Sequence, residues 1–65
     1  MKMFVIKLES GEYLRECRMT SNYLDYERTL HKPAADRLND FDSKLVLKKL
    51  GNLGQKNASR EEVSD

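Results

Sequence analysis

The sequence predicts a small α+β domain: an N-terminal β-hairpin packed with one or two short helices, followed by a flexible C-terminal tail. Three observations carry this. Apolar and polar residues alternate around a Ser-Gly turn near the N-terminus. Apolar residues then recur at spacings of three and four between Pro33 and Leu50, and almost vanish beyond Gly51. Alternation marks a half-buried strand and the longer spacing marks an amphipathic helix, because the two backbones have different periods.

Composition sets the scale. The chain has 65 residues, 38% of them hydrophobic, against roughly 45–50% in an ordinary globular domain. Leu, Ile, Val and Phe supply 15 of the 65, just above the roughly 20% below which highly charged chains stay disordered. The net charge is only +1, so the expectation is one small fold, residues 1–51, with a disordered tail, residues 52–65. Such a length excludes two domains, a dinucleotide-binding unit and most enzyme scaffolds. No apolar run approaches a membrane span, and the stretch at Met3–Ile6 is too short for a secretory signal. One cysteine excludes an internal disulfide framework, which places the chain in a reducing cytoplasm.

Residues Met3 to Met19 read as the hairpin. Phe4, Ile6 and Leu8 alternate with Val5, Lys7 and Glu9, and Ser10-Gly11 supplies a two-residue turn, Gly tolerating positive φ. In the returning strand Tyr13, Cys17 and Met19 share one side, Arg15 interrupts that side, and Leu14 lies on the other. Thr20-Ser21-Asn22 forms a turn or a helix N-cap cluster. Tyr23, Tyr26 and Leu30 then stand at helical spacing, although Tyr23-Leu24-Asp25-Tyr26 would also fit a third strand. Lys32-Pro33 ends that element, and Pro33 suits the first position of the next helix.

From Pro33 to Leu50 two readings compete. A single helix puts Ala34, Leu38, Phe41 and Leu45 on one stripe but turns Val46, Leu47 and Leu50 to the opposite side. A break at Asn39-Asp40-Phe41-Asp42-Ser43, rich in capping residues, is favoured: Asp42 caps the second helix, and Phe41 staples onto Val46. Lys48 and Lys49 suit the negative end of that helix, and Gly51 its left-handed stop. Beyond Gly51 only Leu53, Ala58 and Val63 are apolar, too few to offset the entropy of ordering a tail.

The chemistry-bearing residues are sparse. Cys17 and His31 alone make no structural zinc site. Cys17 reads as a small core or hairpin residue rather than a reactive thiolate, and His31 as exposed beside Lys32 or paired with Glu27 at helical spacing. Asp36, Asp40 and Asp42 resemble a carboxylate cluster, but so short a chain has little material for a water-excluding cleft, and caps on a solvated helix explain them. Neither phosphate-loop spacing is present around Gly51 and Gly54. The reading is therefore non-enzymatic, with no catalytic residue, metal or cofactor.

Two binding readings remain. Lys44, Lys48, Lys49, Lys56 and Arg60 form a basic segment at 44–60 without an acid, and Arg15, Arg18 and Arg28 interleave with Tyr13, Tyr23 and Tyr26, as single-stranded nucleic acid requires. Against this, acids flank every tyrosine and the charge is nearly balanced. A protein partner, or a second copy forming a homodimer, fits the apolar supply better, since Tyr and Arg anchor interfaces. The candidate partner-binding residues are Tyr23, Tyr26, Arg28, Leu47, Lys48, Lys49 and Leu50.

The opening Phe4-Val5-Ile6-Lys7-Leu8-Glu9-Ser10-Gly11-Glu12-Tyr13-Leu14 resembles the start of small accessory proteins of tailed phages. In these a hairpin of the form FVIK…G-x-Y-L precedes a short helix entered through an Ala–aromatic stretch. Ala35-Asp36-Arg37-Leu38 through Leu50-Gly51 follows that plan, with Leu38 where an aromatic is commoner and with no evident closing strand. The resemblance spans about two-thirds of the chain. It implies a phage or prophage product that binds and modulates or inhibits a host protein in the host cytoplasm, and it transfers no functional residue.

Overall fold

A computed structural model describes residues 2–21 and 23–63. Strands β1 (Met3–Lys7), β2 (Tyr13–Thr20) and β3 (Tyr23–Thr29) come first. A 3-10 turn at Lys32–Ala34, helix α1 (Asp40–Asn52) and strand β4 (Ser59–Val63) follow. The four strands form one antiparallel sheet in the order β3-β2-β1-β4, and α1 packs on one face. The expected α+β class holds. Ile6, Leu8, Leu14, Leu24, Val46 and Leu50 form the core between sheet and helix.

The first hairpin forms where the alternation placed it, but its connection is longer than the two residues expected. Leu8 N–H donates to the Glu12 carbonyl at 2.7 Å and Gly11 N–H to the Leu8 carbonyl at 3.0 Å. Glu9, Ser10 and Gly11 therefore form the loop, with Gly11 at φ +90°. That is the left-handed position that three-residue hairpins assign to glycine.

Strand β2 corrects the predicted faces. Its register with β3 shifts between Arg15 and Arg18, and Glu16 sits at φ +49°. This is a β-bulge: one extra residue changes the phase of alternation. Leu14, Cys17 and Met19 consequently all reach the core, while Tyr13 and Arg15 share the other face. The interruption at Arg15 is the trace of that bulge.

Of the two readings of Tyr23–Leu30, helix or third strand, the strand forms, as β3. Leu24 and Tyr26 alternate inward against the core, and pairing with β2 from Tyr13↔Thr29 to Thr20↔Tyr23 satisfies one edge of the strand. Leu30, required on the helical stripe, is 78% exposed. The supposed His31–Glu27 helical pair goes with it; His31 N–H instead donates to Thr29 Oγ1 at 3.1 Å.

Of the two helices expected between 33 and 50 only the second forms: the first is reduced to the 3-10 turn at Lys32–Ala34, Leu38 pairs with Phe4 instead, and the caps of the second differ. Asn39, not Asp42, is the N-cap, its side chain accepting from Asp42 N–H at 2.7 Å. Phe41 is 72% exposed and staples nothing. Gly51 lies inside α1, and the left-handed residue is Gly54 at φ +98°. Gln55 N–H bonds the Leu50 carbonyl and Gly54 N–H the Gly51 carbonyl, a Schellman arrangement that satisfies the last carbonyls of the helix.

The tail assigned to 52–65 is ordered as β4 over Ser59–Val63, pairing with β1 from Met3↔Val63 to Lys7↔Ser59; positions 64 and 65 lie outside the described residues. Counting apolar side chains missed what holds it. The Arg60 guanidinium lies 4.1 Å from the centre of the Phe4 ring. It also donates to Asp40 Oδ1 at 2.6 Å and to Ser43 Oγ at 3.0 Å. At the other end, Glu9 Oε1 accepts from Asn57 N–H at 2.9 Å.

One passage links the two faces. Lys32 lies against the face that carries Tyr13 and Glu61, its ammonium 3.1 Å from Glu61 Oε1, whereas α1 lies on the opposite face. Between them the chain runs through the gap where β1 and β2 part. Asp36 N–H donates to the Leu14 carbonyl at 3.1 Å, and Phe4 and Leu38 exchange both backbone bonds at 2.8 Å.

Candidate partner-binding groove

The β2–β3 connection is only two residues long, since Thr20 pairs with Tyr23. It brings Ser21 and Tyr23 against the C-terminal end of α1. Lys49 Nζ donates to the Ser21 carbonyl at 3.1 Å, pinning the helix end to this turn. The Schellman arrangement then holds Leu53, the C-cap residue, just beyond the helix. Between these elements lies an open concavity of about 390 Å³ lined by Ser21, Tyr23, Leu24, Lys49, Asn52 and Leu53.

Its chemistry is simple. Buried Leu24 contributes to the lining, and Tyr23 and Leu53 are 57% and 63% exposed. Two large side chains thus stand in water beside a concave surface, and concave, mostly apolar surfaces are the form that binding sites take. Tyr23 lines the concavity from the first position of β3. Lys49 is the basic group in this lining, and its ammonium retains donor capacity beyond the Ser21 bond.

The predicted site residues divide. Tyr23 and Lys49 meet in this groove. Leu50 is fully buried and belongs to the core; the break at Asn39 sets the helix phase and turns it inward, so it is withdrawn as a contact residue. Tyr26 and Leu47 are half-buried against the same core. Arg28 and Lys48 are exposed on β3 and α1, with the Arg28 guanidinium 6.0 Å from the Tyr26 ring centre. Ser21, Leu24, Asn52 and Leu53 were missed. Leu53 stood out only as an apolar residue in a segment read as tail.

The basic segment 44–60 is largely committed within the fold. Lys44 pairs with Asp40 at 3.2 Å, Lys49 with the Ser21 carbonyl, and Arg60 with Asp40 and Ser43. Hydrogen bonds from Arg60 and Lys44 hold the Asp40 carboxyl below its ordinary range. Lys32 and the Tyr13 hydroxyl do the same for Glu61. Among the described residues, Lys48 and Lys56 make no ion pair.

Cys17 packs half-buried against the core. Burial, then the nearby carboxylates of Asp36 and Asp25, push its thiol up, the opposite of what activates a nucleophile. No group of three metal-ligating side chains converges among the described residues, and no described helix is long and apolar enough to cross a membrane. No family model, curated protein or solved structure matches the chain.

Proposed function

We propose that the chain is a non-enzymatic interaction protein that presents the groove between the β2–β3 turn and the end of α1 to a protein partner. The observation that carries this is the exposure of Tyr23 and Leu53 around an open apolar concavity. The resemblance of the opening hairpin to tailed-phage accessory proteins supports a phage-encoded modulator or inhibitor. On that reading the partner is a host protein, met in the host cytoplasm. Nucleic-acid binding through 44–60 is the weaker reading, because Lys44, Lys49 and Arg60 already serve the fold.

The test is affinity capture from bacterial lysates with the natural chain and with a Tyr23→Ala/Leu53→Ala variant. The expected result is a stoichiometric protein retained by the first and lost by the second, with both chains equally folded by circular dichroism. Equal recovery by both would remove the groove from the interface. A mobility shift of oligonucleotides that weakens steeply with salt would favour nucleic acid instead.

A further inference from the structure

Strand β3 is an outer strand of the sheet, and among the described residues nothing pairs with its second edge. It is seven residues long, Tyr-Leu-Asp-Tyr-Glu-Arg-Thr, and contains no proline, glycine or lysine. Proline, lysine, bulges and short length are among the means by which sheets blunt an edge; charged side chains are another, and here Asp25, Glu27 and Arg28 restrict which partner the edge accepts. The bulge in this sheet lies on β2 instead, between Arg15 and Arg18. The edge therefore keeps a run of outward backbone donors and acceptors that a further strand can use.

Charge identifies the occupant. Asp25 and Glu27 share the face of β3 turned away from α1, and among the described residues neither makes an ion pair. Arg15, opposite Glu27 across the β2–β3 ladder, pairs with Glu16 at 3.6 Å. Arg18 is the cross-strand neighbour of Asp25. Glu16 adds a third carboxylate beside Glu27: hydrogen bonding to Glu16 and its negative charge hold the Glu27 carboxyl above its ordinary range. Basic side chains brought along the outer edge would relieve this crowding.

A second copy of the chain fits poorly. Antiparallel partners share a face, so registers centred on Asp25, Tyr26 or Glu27 oppose Asp25 to itself, Asp25 to Glu27, or Glu27 to itself. Like charges directly opposite destabilise a ladder. Toward its start β3 runs into the groove, where Tyr23 and Leu24 form part of the lining. A partner residue opposite Leu24 therefore points at the apolar concavity.

We propose that an extended partner segment adds to the outer edge of β3 as an antiparallel strand. It places Lys or Arg opposite Glu27 and Asp25 and seats an apolar side chain in the groove beside Tyr23. This deepens the interaction reading and rests on it. Read from its N-terminus, the segment has the pattern basic-apolar-basic-apolar.

The probe is a fluorescent, end-blocked hexapeptide, Thr-Lys-Val-Lys-Leu-Thr, titrated with the full chain at low ionic strength. Three relatives accompany it: one with Glu for both Lys, one N-methylated at the two Lys amides, and one N-methylated at the Val and Leu amides. Alternate amides of a strand point to opposite edges, so strand addition predicts that one methylated form binds like the parent. The other should weaken about tenfold or more, as should the Glu peptide. No binding by the parent, or equal behaviour of the two methylated forms, would overturn the proposal. Neither result touches the capture experiment with Tyr23→Ala/Leu53→Ala, so the two readings fall separately.

Discussion

The backbone amide of Cys17 donates to Asp36 Oδ2 at 2.7 Å. This bond ties the bulge in β2 to the segment that passes between β1 and β2. A bulge leaves a ladder amide without its strand partner, and here a side chain nineteen residues away takes that place.

Asp36→Ala removes the acceptor and leaves the Cys17 N–H half-buried without it. The expected loss is about 1–3 kcal/mol in urea denaturation. Asp36→Asn, which keeps a carbonyl oxygen, should lose less. Equal stability of natural and alanine chains would show that the bulge does not depend on this bond.

Glu16 occupies a backbone conformation that costs an L-residue about 1–2 kcal/mol, partly offset by the entropy that glycine loses on folding. Glu16→Gly should therefore raise stability by about 0.5–1 kcal/mol, and it also separates Glu27 from its acidic neighbour. A lower urea midpoint for the glycine variant would contradict the strained bulge.

Arg60→Ala tests whether β4 is held as described. Loss of the Phe4 ring contact and the Ser43 bond should cost about 1–2 kcal/mol. Backbone amides of Ser59–Val63 should also exchange faster with deuterium. Protection unchanged by the substitution would mean that strand pairing alone holds the C-terminal segment.

The displaced carboxyls predict two opposite effects of acid. The folded-state carboxyls of Asp40 and Glu61 are depressed. Their stabilisation is therefore present above the unfolded carboxylate range and is lost as pH falls through it toward the folded values. Glu27 is raised, so its contribution is fullest below that range and fades as pH rises through its folded value. Thermal midpoints should rise slightly on mild acidification and then fall below about pH 4. Glu27→Gln should abolish the first limb and keep the second.

How far the sequence reveals this molecule depends on which interactions are local. The alternation of Phe4, Ile6 and Leu8 announces β1 because each residue needs only its neighbours to reveal its face. The grouping of Leu14 with Cys17 and Met19 is hidden, since it needs Glu16 in a conformation that glycine would have advertised. Tyr23, Tyr26 and Leu30 fit a helix by spacing, and only pairing with β2 decides for a strand. Strand β4 combines its ladder with β1 with Arg60 reaching Phe4, Asp40 and Ser43, contacts invisible in a count of apolar residues. In the groove, Tyr23 is legible as an aromatic that follows a turn and Lys49 as a cation at a helix end, whereas their meeting depends on the Ser21 contact. Leu50 was misplaced because its direction follows from where the helix begins.

The passage at Asp36–Leu38 has a consequence for the order of assembly. Phe4 bonds Leu38 on one edge of β1, while residues 59–63 pair along the other. The first strand of the chain thus cannot complete its bonding until the distant half has arrived on both sides. Contacts so separated in sequence slow a folding search. The β2–β3 hairpin, closed by two residues, needs neither contact, so its amides are expected to gain protection in refolding before those of Met3–Lys7.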